Sequence, residues 1–375
     1  MSIKEGNGIA NGTQGTVTLL GSGNSLGVYV PVIQLSRQLN GRGIPVDVCV
    51  LEDLYFDVLQ HKLATYKKAF HDSFGVAKKG AELARDSAGS FDPAKVNRLL
   101  DMWEQEKRSS FIAATGFWLP IIEQYQLRLG ARPLGVQFLH LDADYSPSYL
   151  VYGNRADPYR HIWFYGNENS GMTHRIAISE EPPIPFSQRE ERYLVHGGGW
   201  GIGTYRSAAQ ELIQSGKRLN VLAYYDEDLI EQEEFHYYRN DPAWSPWVRD
   251  ERGRMQFPPL ARVEPGQAPC YHNCEQYPLL FGVIRKSAAI ISKPGGYSLM
   301  ESLAAATPMV FLEPFGKHEA SNARLWIKQG YGIWYEDWKA EHFAMDVLEP
   351  LHENLVQASN QLIDYGGEYD AAQNE

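Results

Sequence analysis

Apolar and polar positions along the chain fall into two recurring units. Each is a short continuous apolar run, a Gly-rich turn, then a run with helical spacing. The first unit opens at Thr16–Gly23 ("TVTLLGSG"), and a helix follows to about Gly41, where "NGRG" supplies a stop. Pro45–Asp53 reads as a second strand. From Asp57 to Arg128 the pattern is mostly helical, broken at Asp86–Pro93. Leu134–Pro147 reads as a further strand running into a polar loop, and Tyr152–His174 as irregular chain. Ile178–Glu191, polar and Pro-rich, is the best linker.

The second unit repeats the plan. Arg192–His196 is a strand, Gly197–Gly203 the Gly-rich loop, and Thr204–Gln214 a helix. Leu219–Tyr225 is the next strand, and a long irregular insert fills Asp226 to about Gln276. Then come helix Tyr277–Lys286, strand Ala288–Ser292, loop "KPGG", helix Tyr297–Ala306, strand Pro308–Pro314 and another helix. His342–Leu362 is amphipathic enough for a last helix. Alternating strands and helices at this spacing predict doubly wound parallel sheets. The fold class is therefore α/β: two Rossmann-like domains facing a cleft. Residues 1–15 read as a floppy tail, 16–185 as the first domain and 190–340 as the second. The segment 341–375 reads as a C-terminal helix able to pack back on the first domain.

Composition narrows the partners. At 375 residues, two domains are the natural division. With a net charge of −11 and no basic stripe, the chain is no nucleic-acid binder, and membrane docking is not expected. No apolar run reaches the roughly 18 residues of a membrane span. Three cysteines suit a reducing cytoplasm. Cys270, His272 and Cys274 lie close in sequence, but the spacing is not that of a zinc site, so no metal is called for. Twenty-two Tyr and nine Trp, many in polar context, suit sugars and other amphipathic ligands as well as a core.

The first Gly loop, "LLGSGNSLGVYVP", only half fits a dinucleotide fingerprint. Gly21 and Gly23 match, but Leu26 stands where the third glycine belongs and Gly27 comes one late. Glu52, ending the next strand, sits where an acid would hold an NAD ribose. The loop thus reads as a tight turn, a dinucleotide cradle, or the floor of another substrate's site. The second half is more specific. Gly295 and Gly296 place bare amides at a helix N-terminus, which suits a diphosphate, with Lys293 just before. Glu301, one turn on, can accept from ribose hydroxyls or simply cap. His318, Glu319 and Asn322 share one turn and can reach a sugar or merely start a helix.

The run Ser292, Lys293, Pro294, Gly295, Gly296, Ser298, Glu301, Pro308, Glu319, Asn322, Ala323 resembles the donor signature of GT-B glycosyltransferases. The nearest branch holds the peptidoglycan-precursor GlcNAc transferase and the galactolipid and diacylglycerol glucosyl synthases. "LVHGGGWGIGT" resembles that branch's second-domain loop. The resemblance implies that Gly295, Gly296 and Lys293 meet the donor diphosphate, and that Glu301 holds the ribose. Ser298 and His318 join the donor site, Glu319 and Asn322 reach the sugar, and Gly198 and Gly199 line the cleft. No cofactor is implied beyond a nucleotide-sugar co-substrate, expected to be a UDP-sugar, and the acceptor is expected to be small and soluble. Gly23, Asn24, Ser25 and Val28 would floor the acceptor side. Inverting members carry a general-base His where this chain has Val28. The base then lies elsewhere, or the loop is out of register, or the chemistry differs. His140, Asp142 and Asp144 ("HLDAD") are the substitutes, on one side of the strand if it continues that far. The expected activity is inverting, metal-independent sugar transfer. A UDP-sugar 2-epimerase, an inactive sugar-nucleotide-binding partner and an NAD-dependent oxidoreductase remain alternatives.

Overall fold

A computed structural model describes residues 15–82, 86–166, 171–230, 232–264, 266–358 and 362–374. The predicted tail falls almost wholly outside them. The first domain is a five-stranded parallel sheet in the order β2-β1-β3-β4-β5. Its strands are β1 (Val17–Gly21), β2 (Val46–Val50), β3 (Ser110–Ala113), β4 (Gly135–His140) and β5 (Arg160–Trp163). Helices α1 (Leu26–Gly41), α2 (Asp57–Asp72), α3 (Phe74–Glu82), α4 (Pro93–Gln105), α5 (Leu119–Leu129) and α6 (Pro147–Leu150) connect and cover it. Every residue of β1 is buried, as a central parallel strand covered on both faces requires.

A short strand β6 (His174–Arg175) precedes the second domain. There the strands are β7 (Glu190–Val195), β8 (Arg218–Ala223), β9 (Phe235–Asn240), β10 (Leu260–Val263), β11 (Ser287–Ser292), β12 (Met309–Phe311) and β13 (Gly332–Trp334). They form one sheet in the order β10-β9-β8-β7-β11-β12-β13, with only β10 antiparallel to its neighbour. The helices are α7 (Tyr205–Gln214), α8 (Leu279–Lys286), α9 (Gly296–Ala305), α10 (Lys317–Lys328), α11 (Tyr335–Ala340) and α12 (Glu349–Ala358). The chain then returns to the first domain. Strand β14 (Ile363–Asp364) pairs with β6, and helix α13 (Tyr365–Asn374) docks on the first sheet through Tyr365 Oη to Gln137 and Tyr369 Oη to Ser110 Oγ.

Several sequence expectations change. The segment read as helical to Arg128 contains β3, which sits in the middle of its sheet. Four residues between two helices were too short to show a period. The irregular stretch after Tyr152 contains β5. The insert is not irregular throughout: β9 and β10 extend the sheet, and residues 241–259 between them form a strap. The strap reaches the first domain, where Tyr29 Oη donates to the Gln256 carbonyl at 2.8 Å and Arg249 Nη2 donates to the Val48 carbonyl at 2.7 Å. Trp244 packs edge-on against Tyr29. The last predicted helix shortens to α12; His342 and Phe343, at its expected start, take positive φ, and the chain stays in turns up to Leu348. Among the described residues no helix is long and apolar enough to cross a membrane.

One apolar cluster runs through both domains, from Leu19 and Ile33 to Ile290 and Leu299. At its edge the backbones nearly touch. An ideal Cβ on Gly296 would lie 1.8 Å from the Leu141 carbonyl oxygen. Gly296→Ala therefore has to push the domains apart. We expect a loss of about 2 kcal/mol or more in urea unfolding, against near neutrality for Gly295→Ala, whose nearest neighbour is 3.7 Å away. Equal stability of the two variants would refute this packing.

Candidate functional site

In open parallel sheets, ligands bind beyond the strand C-termini where the strand order reverses. Here that place lies between β1 and β3 in one domain and between β7 and β11 in the other. Both open into one cavity of about 460 Å3 between the domains. The strap closes part of its margin through Pro258, next to Asn240 at the end of β9.

The first Gly loop is held by its own chain. The fully buried Glu52 carboxylate accepts from Ser22 Oγ at 2.5 Å, Gly23 N at 2.6 Å and Asn24 N at 3.0 Å. Burial raises its pKa, and these hydrogen bonds oppose the rise. The amides a dinucleotide phosphate would need, and the acid its ribose would need, are spent on each other. That removes the basis for an NAD site here. Gly23 faces away from the cavity, with the strap's Pro246 only 2.4 Å from where a Cβ would stand. Asn24, Ser25 and Val28 do border the cavity.

The three proton-transfer candidates separate. Strand β4 ends at His140, so strand alternation does not extend to Asp142 and Asp144, which sit in the following loop. His140 is buried, stacks on Trp163 at 3.9 Å and bonds His161 at 2.7 Å. Burial, then the His161 ring, push its pKa down to about 3. Asp142 is half-buried beside Gly296, and its Oδ1 accepts from Asn322 Nδ2 at 2.7 Å. Asp144 is exposed and accepts from the Tyr145 amide at 2.7 Å. All three border the cavity.

On the facing wall, Lys293, Gly295, Gly296, Ser298, Glu301, His318 and Glu319 all border the cavity, as do Gly198 and Gly199. Asn322 does not; its amide joins the domains instead. It donates to Asp142 and to the Pro294 carbonyl and accepts from Ala143 N at 2.7 Å. Glu319 is not free for a sugar either: it pairs with Lys293 and accepts from Phe315 N at 2.7 Å. Glu301 differs. It is 5% exposed, borders the cavity, and its carboxylate makes no hydrogen bond among the described residues. Burial alone pushes its pKa up to about 8. Sequence patterns do not single out His196, which follows β7 and borders the cavity, or Phe70, which reaches it from α2 and stacks on Trp200. His196 is legible only as the residue before a Gly run. Phe70 has no local signal. Among the described residues no three His, Cys, Asp or Glu side chains gather to hold a metal.

No known family profile matches the sequence, and no curated protein does. Solved structures do match in shape. Spinosyn rhamnosyltransferase SpnG aligns with TM-score 0.55 and 12% identity over 96% of this chain and 100% of that one. MurG of Acinetobacter baumannii gives 0.53 and 12% over 96% and 100%. SsfS6 of Streptomyces sp. SF2575, a glycosyltransferase complexed with thymidine diphosphate, gives 0.57 and 12% over 96% and 99%. The chain has the two-domain GT-B fold.

Glu301 makes stability depend on pH. The folded protein holds its proton to about pH 8, whereas the ordinary value is 4.5. A raised folded-state pKa gives stability that is lost as pH rises through that window. In urea unfolding from pH 5 to 9, wild type should lose ground to Glu301→Gln by up to about 1.4 kcal/mol per pH unit. A gap that does not change with pH would refute the assignment.

Proposed function

We propose that the protein is a glycosyltransferase that moves a sugar from a nucleoside diphosphate to a small acceptor, with inversion and without a metal. Glu301 carries the reading: an unpartnered buried carboxyl group one turn into the helix that opens at Gly295–Gly296. A ribose with two vicinal hydroxyls supplies the donors it lacks. The amides opening α9 face the diphosphate, and Lys293 stands beside them as the full positive charge. Those groups hold charge on the leaving diphosphate. SsfS6 and SpnG have been solved with thymidine diphosphate, which supports a pyrimidine nucleotide, UDP or dTDP. SpnG has also been solved with the spinosyn aglycone. Val28, Val30, Phe117 and Leu139 on the first-domain wall suit an acceptor with an apolar body.

In this scheme a carboxylate on the first domain, Asp142 or Asp144, takes the acceptor proton. The acceptor oxygen or nitrogen attacks the anomeric carbon from the face opposite the diphosphate. The bond from that carbon to the diphosphate oxygen breaks, and the electron pair leaves with the diphosphate. Val28 contributes shape and no proton transfer.

A thermal-shift screen of UDP, dTDP, GDP and ADP tests the donor class; UDP or dTDP should raise the midpoint and the purine nucleotides should not. By calorimetry, Glu301→Ala should weaken the bound pyrimidine nucleotide about tenfold or more. Unchanged affinity would sink the ribose assignment. Replacing Asp142 and Asp144 together by Asn keeps an acceptor oxygen for Asn322 and should lower donor turnover about a hundredfold or more. Full turnover would remove both from the base role.

A further inference from the structure

Helices α2 and α3 pack closely as a hairpin, with an ideal Cβ on Gly80 lying 2.7 Å from Phe70 Cζ. The hairpin borders the interdomain cavity through Phe70, Gly80 and Ala81. It has little hold on its own domain. α2 buries only Leu63 and His71, and α3 only Ala77. Among the described residues neither Leu63 nor Ala77 belongs to an apolar core. The firmer grip is on the second domain. Phe70 stacks on Trp200 and Phe74 on Phe315, while Lys68 pairs with Glu227 and Lys78 with Glu313. Both of these ion pairs are partly exposed, and such pairs are worth little. One tie is buried: His71 meets Asp228, with side chains 0% and 3% exposed.

His71 Nδ1 lies 3.0 Å from the Gly201 carbonyl oxygen, and Nε2 lies 3.0 Å from Asp228 Oδ1. A carbonyl can only accept, and so can a carboxylate. Asp228 is ionised: burial pulls its pKa up, but the His71 bond and charge and the Tyr224 and Tyr225 amides hold it below the ordinary carboxylate value. Both ring nitrogens therefore carry hydrogen, and His71 is an imidazolium. Its surroundings suit a cation. The rings of Tyr225, Tyr224 and Tyr205 lie 4.7, 5.7 and 6.4 Å from it. Arg206 of α7 is the competing charge: it donates to the His71 carbonyl and stands 3.6 Å from Asp228 Oδ1. The remaining charges nearby are answered elsewhere. Lys68 pairs with Asp72 and Glu227, and Asp226 with Arg239.

We propose that the His71–Asp228 pair is a proton-dependent latch, which holds the α2–α3 hairpin against the second-domain Gly loop as a flap over the cavity. Loss of either ring hydrogen leaves a lone pair facing an oxygen, at the Gly201 carbonyl or at Asp228. Repulsion then replaces a bond, and a buried carboxylate loses its nearest counter-charge. The latch is complete at low pH and is lost as pH rises. The ring has little room to turn away: an ideal Cβ on Gly201, which holds φ +64°, would lie 2.5 Å from Nδ1. With the hairpin released, the cavity opens on one side while the linker, the strap and α13 still join the domains. The latch works in the same way whatever the cavity binds.

Nitrogen NMR on isotope-labelled histidine, assigned with His71→Gln, should show both His71 ring nitrogens protonated at about pH 7. One unprotonated nitrogen there overturns the proposal. Hydrogen exchange read by mass spectrometry then follows the hairpin at about pH 6 and about pH 9, in a Glu301→Gln background that removes that residue's own pH dependence. Rates are divided by those of the unfolded chain. α2 and α3 should lose protection about tenfold or more at the higher pH, while β1 and β7 keep theirs. With His71→Gln or Asp228→Asn added, the hairpin should already be less protected at the lower pH and change little between the two. Flat protection of the hairpin with His71 in place overturns the latch. So does a loss shared equally by β1 and β7, or the same pH dependence kept by His71→Gln. Should both added substitutions prevent folding, the comparison of hairpin with strands in the protein that retains His71 still decides.

Discussion

The contact between Gly296 and the Leu141 carbonyl sets the geometry of everything between the domains. It brings the start of α9 against the loop after β4, with no side chain between the two backbones. Asn322 locks the same contact with bonds to Asp142, Ala143 and Pro294. On the far side, His71 of α2 bonds the Gly201 carbonyl and Asp228 of the second domain, each at 3.0 Å. The cavity is the space left between these two clasps. A ligand on α9 therefore lies within reach of first-domain carboxylates without any side chain having to be long.

Charge in the cavity is arranged with little to spare. Among the described residues bordering it, Lys293 is the sole Lys or Arg, against Asp142, Asp144, Glu301 and Glu319. Lys293 and Glu319 answer each other, and Asn322 steadies Asp142. Burial keeps Glu301 protonated at neutral pH. The site thus approaches neutrality by pairing and protonation, and it presents N–H groups where a dianion would sit. At the first loop the chain likewise supplies its own partner, the Glu52 carboxyl group, to the Ser22 hydroxyl and the Gly23 and Asn24 amides.

Much of this plan was legible locally. Two β-turn-α units, their Gly loops and the helix start from Gly295 to Glu301 each lie within one short window, where period and turn chemistry speak directly. What could not be read depends on partners far apart in sequence. Asn322 and Asp142 are 180 residues apart; read alone, one is a sugar ligand and the other a proton acceptor, and their bond to each other has no local signal. Glu319 looked free because its partner Lys293 lies a helix and a strand away along the chain. β3 and β5 are four residues each, shorter than any period that could reveal them.

The strap has a mechanical consequence. Two-domain proteins of this shape can open freely when a single linker joins the halves. Here the chain passes between domains at the linker, out and back along residues 241–259, and again before α13. A hinge between the halves has to carry all three crossings at once. Opening that moves the strap away from the first domain breaks its bonds to Tyr29 and Val48. The rate at which large molecules enter would follow the lifetime of those few bonds, and the width of the gap would be set by the length of the strap.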